Sequence, residues 1–221
     1  MKTFLLDASH GGMINGKYQT AEIIGKKSYF LKGKLLLYQG YSVPQMEKMC
    51  DLKYYEGVGN RDIVRRIKLL CDKERIRYFD VVDSEKDIPL YTRTYRGNKF
   101  YAKDRDCVYL AINSNAFNKQ QAHGYTVWTS KGQTKSDGYA TIFWNEFRAM
   151  FPNDVNKGEL SDGDVDYEAQ FYVLAYTAMP AVLTESLFYT NYQDVLILSS
   201  EAGRQKIAQA HFNAMKIINK L

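Results

Sequence analysis

The chain of 221 residues has only 3 cysteines, Cys50, Cys71 and Cys107, an odd number at wide spacings with no C-x-x-C pair. That excludes a disulfide framework and points to synthesis in a reducing compartment. No apolar run approaches the roughly 20 residues of a membrane span. The opening MKTFLLDASH has too few apolar residues before Asp7 for a signal-peptide core. Dense lysine or arginine blocks with interleaved aromatics are also missing, so nucleic acid is not expected as a partner. The formal charge of +5 is a small excess of 30 basic over 25 acidic residues, interspersed along the chain. It suits approach to an anionic polymer such as a cell wall, and solubility alone explains it equally well. With no repeat, low-complexity tract or linker, one domain spanning residues 1–221 is expected, without a separate wall-binding module.

What is present is 45% apolar and 25% charged content, enough for one sizeable core. The 18 tyrosines suit ordinary core and surface positions as well as surfaces that bind polar or ring-bearing ligands. KTFLLDA reads as a strand running into the glycine-bearing loop SHGGMINGK. NRDIVRRIKLLCDKERI has the spacing of one helix face. RYFDVV, CVYLAIN, GYTVWTS and AVLTES read as strands. A helix is expected after Leu90 and Arg93, and another over SDGYATIFWNEFRAMF with Ser136 as its N-cap. Residues 152 to 166 are polar and rich in Gly and Asp, a loop, and the C-terminus is a periodic helix. Strands alternating with helices predict an α/β fold, a single twisted, mostly parallel or mixed sheet with helices on both faces.

In such sheets functional groups gather beyond the carboxyl ends of the strands. LLDASHGG delivers His10, YYEGVGN places Glu56 at the mouth of a helix, YLAINSNA delivers Asn113, and PAVLTES delivers Glu185. Each has an ordinary reading when taken alone. A histidine after a strand is commonly a hydrogen-bonded structural residue, and Glu56 suits a helix N-terminus electrostatically. Glu185, ending an apolar run, is either costly to bury or placed for acid/base work.

In order along the chain, LLDASHGG, YEGVGNRDIVRRI, IPLYTR, YLAINSNAFN, AHGYTVWTS, SDGYA and PAVLTESLFYTN resemble the zinc-dependent N-acetylmuramoyl-L-alanine amidases of the amidase type 3 family. These enzymes cut the bond between muramic acid and the stem peptide of peptidoglycan. The resemblance covers essentially the whole chain, with residues of about 13–53 matching less well and looking like an insertion. It implies His10 and Glu56 as zinc ligands, Asn60 as support for Glu56, and Glu185 as the catalytic carboxylate, just ahead of the turn at Asn191. The zinc would polarise the scissile carbonyl and activate water, with Glu185 moving the proton.

The third ligand in the family pattern is a histidine, and here Asn113 stands in its place. A catalytic zinc needs three protein ligands and an open position, and a neutral amide oxygen is a poor zinc donor. The fold is expected to survive this change and metal affinity to fall, leaving an enzyme that is slow or inactive. Three explanations fit the sequence: a deliberate replacement made to inactivate the enzyme, a natural loss that leaves a peptidoglycan-binding protein or an altered metal preference, or compensation by His123. His123 otherwise suits the rim or a substrate contact. Arg93 is expected to brace the site through a carboxylate pair and Asn115 to orient its neighbours, while His211 shares a helix face with Ile207, Ala214, Met215 and Ile218 as a core-edge residue. The lack of a signal peptide, of disulfides and of a wall-binding module fits a monomeric, phage endolysin-like enzyme held in the cytoplasm until lysis, and equally a bacterial enzyme leaving by another route or one encoded within a prophage. Peptidoglycan is the expected partner, with neither membrane nor nucleic acid.

Overall fold

The computed structural model describes residues 1–20, 26–37, 39–153, 158–161 and 163–221. Strand β1 (Thr3–Ala8) runs into the SHGG turn, after which β2 (Met13–Ile14) and β3 (Lys17–Tyr18) form a short antiparallel hairpin. Strand β4 (Lys27–Leu31) pairs antiparallel with β5 (Lys34–Leu35), and helix α1 (Val43–Met49) packs against it. On its other side β4 pairs with β6 (Leu52–Tyr55), also antiparallel. The segment expected as an insertion therefore builds a hairpin and most of a three-stranded side sheet, and β6 leads straight into α2 (Glu56–Glu74).

The rest alternates as foreseen. In chain order come β7 (Arg77–Asp80), α3 (Leu90–Tyr101), β8 (Cys107–Asn115), β9 (Tyr125–Thr129) and α4 (Lys135–Met150). Then follow β10 (Tyr167–Glu168), α5 (Tyr172–Ala175), β11 (Ala181–Phe188), α6 (Tyr192–Ser199) and α7 (Glu201–Ile218). The main sheet has the order β10-β9-β11-β8-β1-β7, parallel throughout except for the antiparallel β9–β11 pair. Between Phe151 and Asp166 the described residues form neither helix nor strand, and 154–157 and 162 lie outside the described residues.

Strands buried on both faces read as continuous apolar runs, and their alternation decides which layer each residue meets. Phe4, Leu6 and Ala8 of β1 and Val108, Leu110 and Ile112 of β8 pack with Ile63 and Ile67 of α2, Phe143 and Phe147 of α4, and Ile207 and Met215 of α7. The opposite parity, Leu5, Tyr109, Ala111, Ala181 and Leu183, packs with Val173 and Leu174 of α5 and Phe100 of α3. Asn113 and Glu185 share this second parity, so they point toward the thinner layer, where the sheet is incompletely covered.

Two local expectations are corrected. Thr134, not Ser136, caps α4: its hydroxyl accepts from Ser136 N at 3.0 Å while Asp137 accepts from Thr134 N, a reciprocal capping box. Ser136 lies inside the helix, where its hydroxyl accepts from Ala181 N at 3.1 Å. Leu90 and Arg93 likewise lie within α3 and not before it. Pro89, with its fixed φ, stands at the N-cap and its carbonyl accepts from Thr92 N and Arg93 N. Among the described residues no helix is long and apolar enough to cross a membrane.

Candidate functional site

Three of the four strand-end residues converge from adjacent central strands. Glu185 on β11 stands opposite Asn113 on β8, and β1, the next strand across, delivers Ser9 and His10 just past its end. The site thus lies over the middle of the sheet and not at one of its edges. The cause is strand order, since β8 inserts between β1 and β11. Just past Glu185, β11 is irregular and Leu187 takes a left-handed φ of 65°. Such bulges re-aim side chains beside functional sites. The three residues line a cleft of about 420 Å³ together with Lys26, Arg93 and Leu183, and Leu90, Phe171 and Tyr172 also line it.

Glu56, the fourth residue, is fully buried at the start of α2. Its Oε1 accepts from Ser114 N at 3.3 Å and from Asn60 Nδ2 at 3.5 Å, and faces His10 Nε2 at 3.5 Å. Asn60 also donates to the Ser9 carbonyl at 3.3 Å and accepts from the Ser114 hydroxyl, which in turn accepts from Tyr54 at 3.1 Å. The carboxylate is therefore tied to β1, β6 and β8 at once. Among the described residues its Oε2 has no hydrogen bond of good geometry, but the Lys26 ammonium stands 3.3 Å away.

His10 adopts φ 65°, and its carbonyl accepts from the Arg61 guanidinium, which also binds the Ser84 and Lys86 carbonyls. Gly57 lets this turn approach α2: a Cβ there would sit 2.0 Å from the Gly11 carbonyl oxygen. Arg93 is buried and holds Asp7 at 3.0 Å, Asp87 at 2.9 Å and the Ile88 carbonyl at 2.6 Å. Tyr109 donates to the other oxygen of Asp7 at 2.6 Å. This cluster fixes the end of β1 to the 87–88 lip of the cleft.

Burial and the nearby positive charges of Lys26, Arg93 and Arg61 push His10 down to about 3, so its imidazole is neutral. Burial raises Glu56 and Glu185 above the ordinary carboxylate range. The Glu56 carboxylate raises Glu185 further, and Lys26 works against both rises. Glu185 Oε2 and Asn113 Nδ2 are sealed from solvent without a hydrogen-bond partner among the described residues.

These residues do not fit a catalytic zinc. His10 and Glu56 are good donors, but Asn113 offers a neutral amide whose Nδ2 is unpartnered, and an ammonium faces the free oxygen of Glu56. Among the described residues no group of three or more His, Cys, Asp or Glu is disposed to hold a metal ion. His123 precedes β9 at the same end of the sheet but does not line the cleft. Asn115 donates to Thr126 at 3.5 Å and accepts from Ala116 N at 2.8 Å, away from the cleft lining. His211 is wholly buried and not at the core edge, with Nδ1 against the Ile207 carbonyl and Nε2 against the Thr184 hydroxyl, both at 2.9 Å. Asn191 caps α6, accepting from Gln193 N and Asp194 N.

Sequence reasoning missed Lys26, Tyr18, Tyr54 and Ser114, which reach the site through the side sheet, the β2–β3 hairpin or the far face of β8. A larger groove of about 620 Å³ runs beside α2 past Arg61, Asp62, Arg65, Lys68 and Asp80. Those side chains pair with carboxylates or with one another, and none of the four strand-end residues lies there.

The family model described as N-acetylmuramoyl-L-alanine amidase matches residues 5–217. The catalytic domain of CwlV, an N-acetylmuramoyl-L-alanine amidase from Bacillus (Paenibacillus) polymyxa var. colistinus, is similar with a TM-score of 0.72 at 16% identity, covering 100% of this chain and 99% of that one. The amidase Ami1 from Mycobacterium smegmatis is similar with a TM-score of 0.71 at 18% identity, over 98% and 96% of the two chains. The catalytic domain of the CD27L endolysin, which targets Clostridia difficile, has a TM-score of 0.64 at 14% identity, over 98% of each chain. No curated protein matches the chain in sequence.

Proposed function

The chain belongs to the N-acetylmuramoyl-L-alanine amidase family, and from that premise we propose that its cleft binds the muramoyl–L-alanine amide of peptidoglycan but hydrolyses it slowly or not at all. The observation that carries this reading is Asn113, directly opposite Glu185 on neighbouring strands where the family resemblance implies an imidazole. The cleft retains what binding needs. Leu90, Phe171 and Tyr172 supply apolar and aromatic surface, Asn113 and Glu185 face the amide, and the Arg93 cluster holds one lip in place. In this reading residues 1–221 form one amidase-type domain that meets the wall after release from the cytoplasm at lysis, as a monomer, with its hydrolytic part in lysis impaired. Similarity to an endolysin catalytic domain supports that role.

The test is to incubate the chain with purified, insoluble peptidoglycan in the presence of zinc. Co-sedimentation is measured, together with release of new α-amino groups, against an active amidase of the family. Binding with amino-group release at background supports the proposal. Robust zinc-dependent release refutes the impairment, and failure to co-sediment refutes the ligand.

A further inference from the structure

We infer that the Lys26 ammonium is the resident cation of this site, balancing the buried Glu56 carboxylate in the place that the family resemblance gives to zinc. The inference rests on reading His10, Glu56 and Asn113 as the metal-site positions. It is carried by how the side sheet is built. Strand β4 pairs antiparallel with β6 in a register that sets Lys27 opposite Tyr55. The ladder ends at that pair, with Lys26 the residue just before β4 and Glu56, just after β6, the first residue of α2.

A second tie holds the backbone there. Gly57 N donates to the Tyr18 hydroxyl at 3.0 Å, and that hydroxyl donates to the Lys26 carbonyl at 3.2 Å. Tyr18 is thereby a strap between the hairpin, the lysine and the N-terminus of α2. From this fixed backbone the half-buried Lys26 side chain reaches into the cleft and places its ammonium 3.3 Å from Glu56 Oε2.

The chemistry is coherent. A fully buried carboxylate needs a counter-charge, and removing its partner leaves a costly unpaired ion. Besides the 3.5 Å approach of His10, Lys26 is the one cation paired with Glu56 among the described residues. A tethered ammonium needs no imidazole to hold it, so a neutral amide at position 113 is sufficient. A zinc ion placed on Glu56 would meet this ammonium at close range, and like charges there oppose its binding. Restoring the histidine alone therefore does not restore the metal.

The experiment compares four full-length chains: wild type, Asn113→His, Lys26→Met, and the double variant. Each is saturated with zinc chloride, dialysed and assayed for bound zinc and for melting temperature with and without zinc. Wild type and Asn113→His should retain well below one equivalent. The double variant should retain about one, bind zinc about 10- to 100-fold tighter than either single variant, the range of coupling between groups sharing one site, and melt higher with zinc. Lys26→Met alone should melt below wild type. If methionine unfolds the chain, Lys26→Gln replaces it. A full equivalent of zinc in wild type or Asn113→His overturns the inference, as does a folded double variant with no more zinc than Asn113→His. Zinc content is read without peptidoglycan, so failure of the ligand or turnover proposal is seen separately.

Discussion

Arg93→Met removes the cation from a cluster that is sealed at its centre: the Arg93 and Asp7 side chains are 3% and 0% exposed. The methionine keeps most of the apolar stem but leaves Asp7 with a buried charge and frees the Asp87 carboxylate and the Ile88 carbonyl. Breaking one side of a buried pair costs roughly 3–5 kcal/mol. Asp7 retains the 2.6 Å hydrogen bond from Tyr109, so the lower end applies. For a chain of this size about 3 kcal/mol corresponds to a fall in melting temperature of about 6–12 °C. The assay is thermal denaturation by circular dichroism, backed by urea titration with Trp128 and Trp144 as fluorescent reporters. Asp7→Asn combined with Arg93→Met removes the stranded charge and should recover part of the loss, since coupled pairs are non-additive. A single variant melting within about 1 °C of wild type, less than the ~0.5 kcal/mol of an ordinary surface change, would refute the reasoning. So would a double variant no more stable than the single.

Gly57→Ala forces a methyl against the Gly11 carbonyl. It should destabilise the chain by about 1–3 kcal/mol, as overpacking does, a loss measurable as a lower urea midpoint. Tyr18→Phe strands the Gly57 N–H and releases the Lys26 carbonyl. A cost of about 1–3 kcal/mol is expected, and faster amide exchange at Gly57 checks the cause. His211 is held near 4 by burial, below its usual 6.5, so the unfolded chain takes up its proton first. That contribution to stability is complete above about pH 6.5 and is lost as pH falls toward 4. His211→Asn should be less stable at neutral pH but should show a shallower loss of stability across that window in pH-dependent urea titrations.

The main sheet was legible because its strands are long apolar runs and its helices carry a 3.6-residue period. Both signals come from burial, which the sequence records directly. His10, Asn113 and Glu185 could be grouped because each ends such a run. Lys26 could not be placed, since a lysine before a five-residue strand looks like any solvated edge, and only the β4–β6 register carries it to Glu56. Residue-level periodicity does not encode the pairing of short strands that are distant in sequence. The cap of α4 was misassigned for a similar reason: Thr134 and Ser136 are both competent, and the reciprocal bond from Asp137 decides between them. His123 was a reasonable candidate by residue type, but β9 lies beyond β11, outside the cleft.

Neighbouring strands in a sheet stand about 4.8 Å apart because of their backbone hydrogen bonds, whatever their side chains. With Glu185 fixed opposite Asn113 and β1 on the other flank of β8, the frame acts as a jig that presents residues at constant pitch. Exchanging the tool held at one station leaves the jig untouched. On the proposed function, one or two residues at such stations separate a frame that cuts a polymer from one that only grips it, while the strand order stays the same.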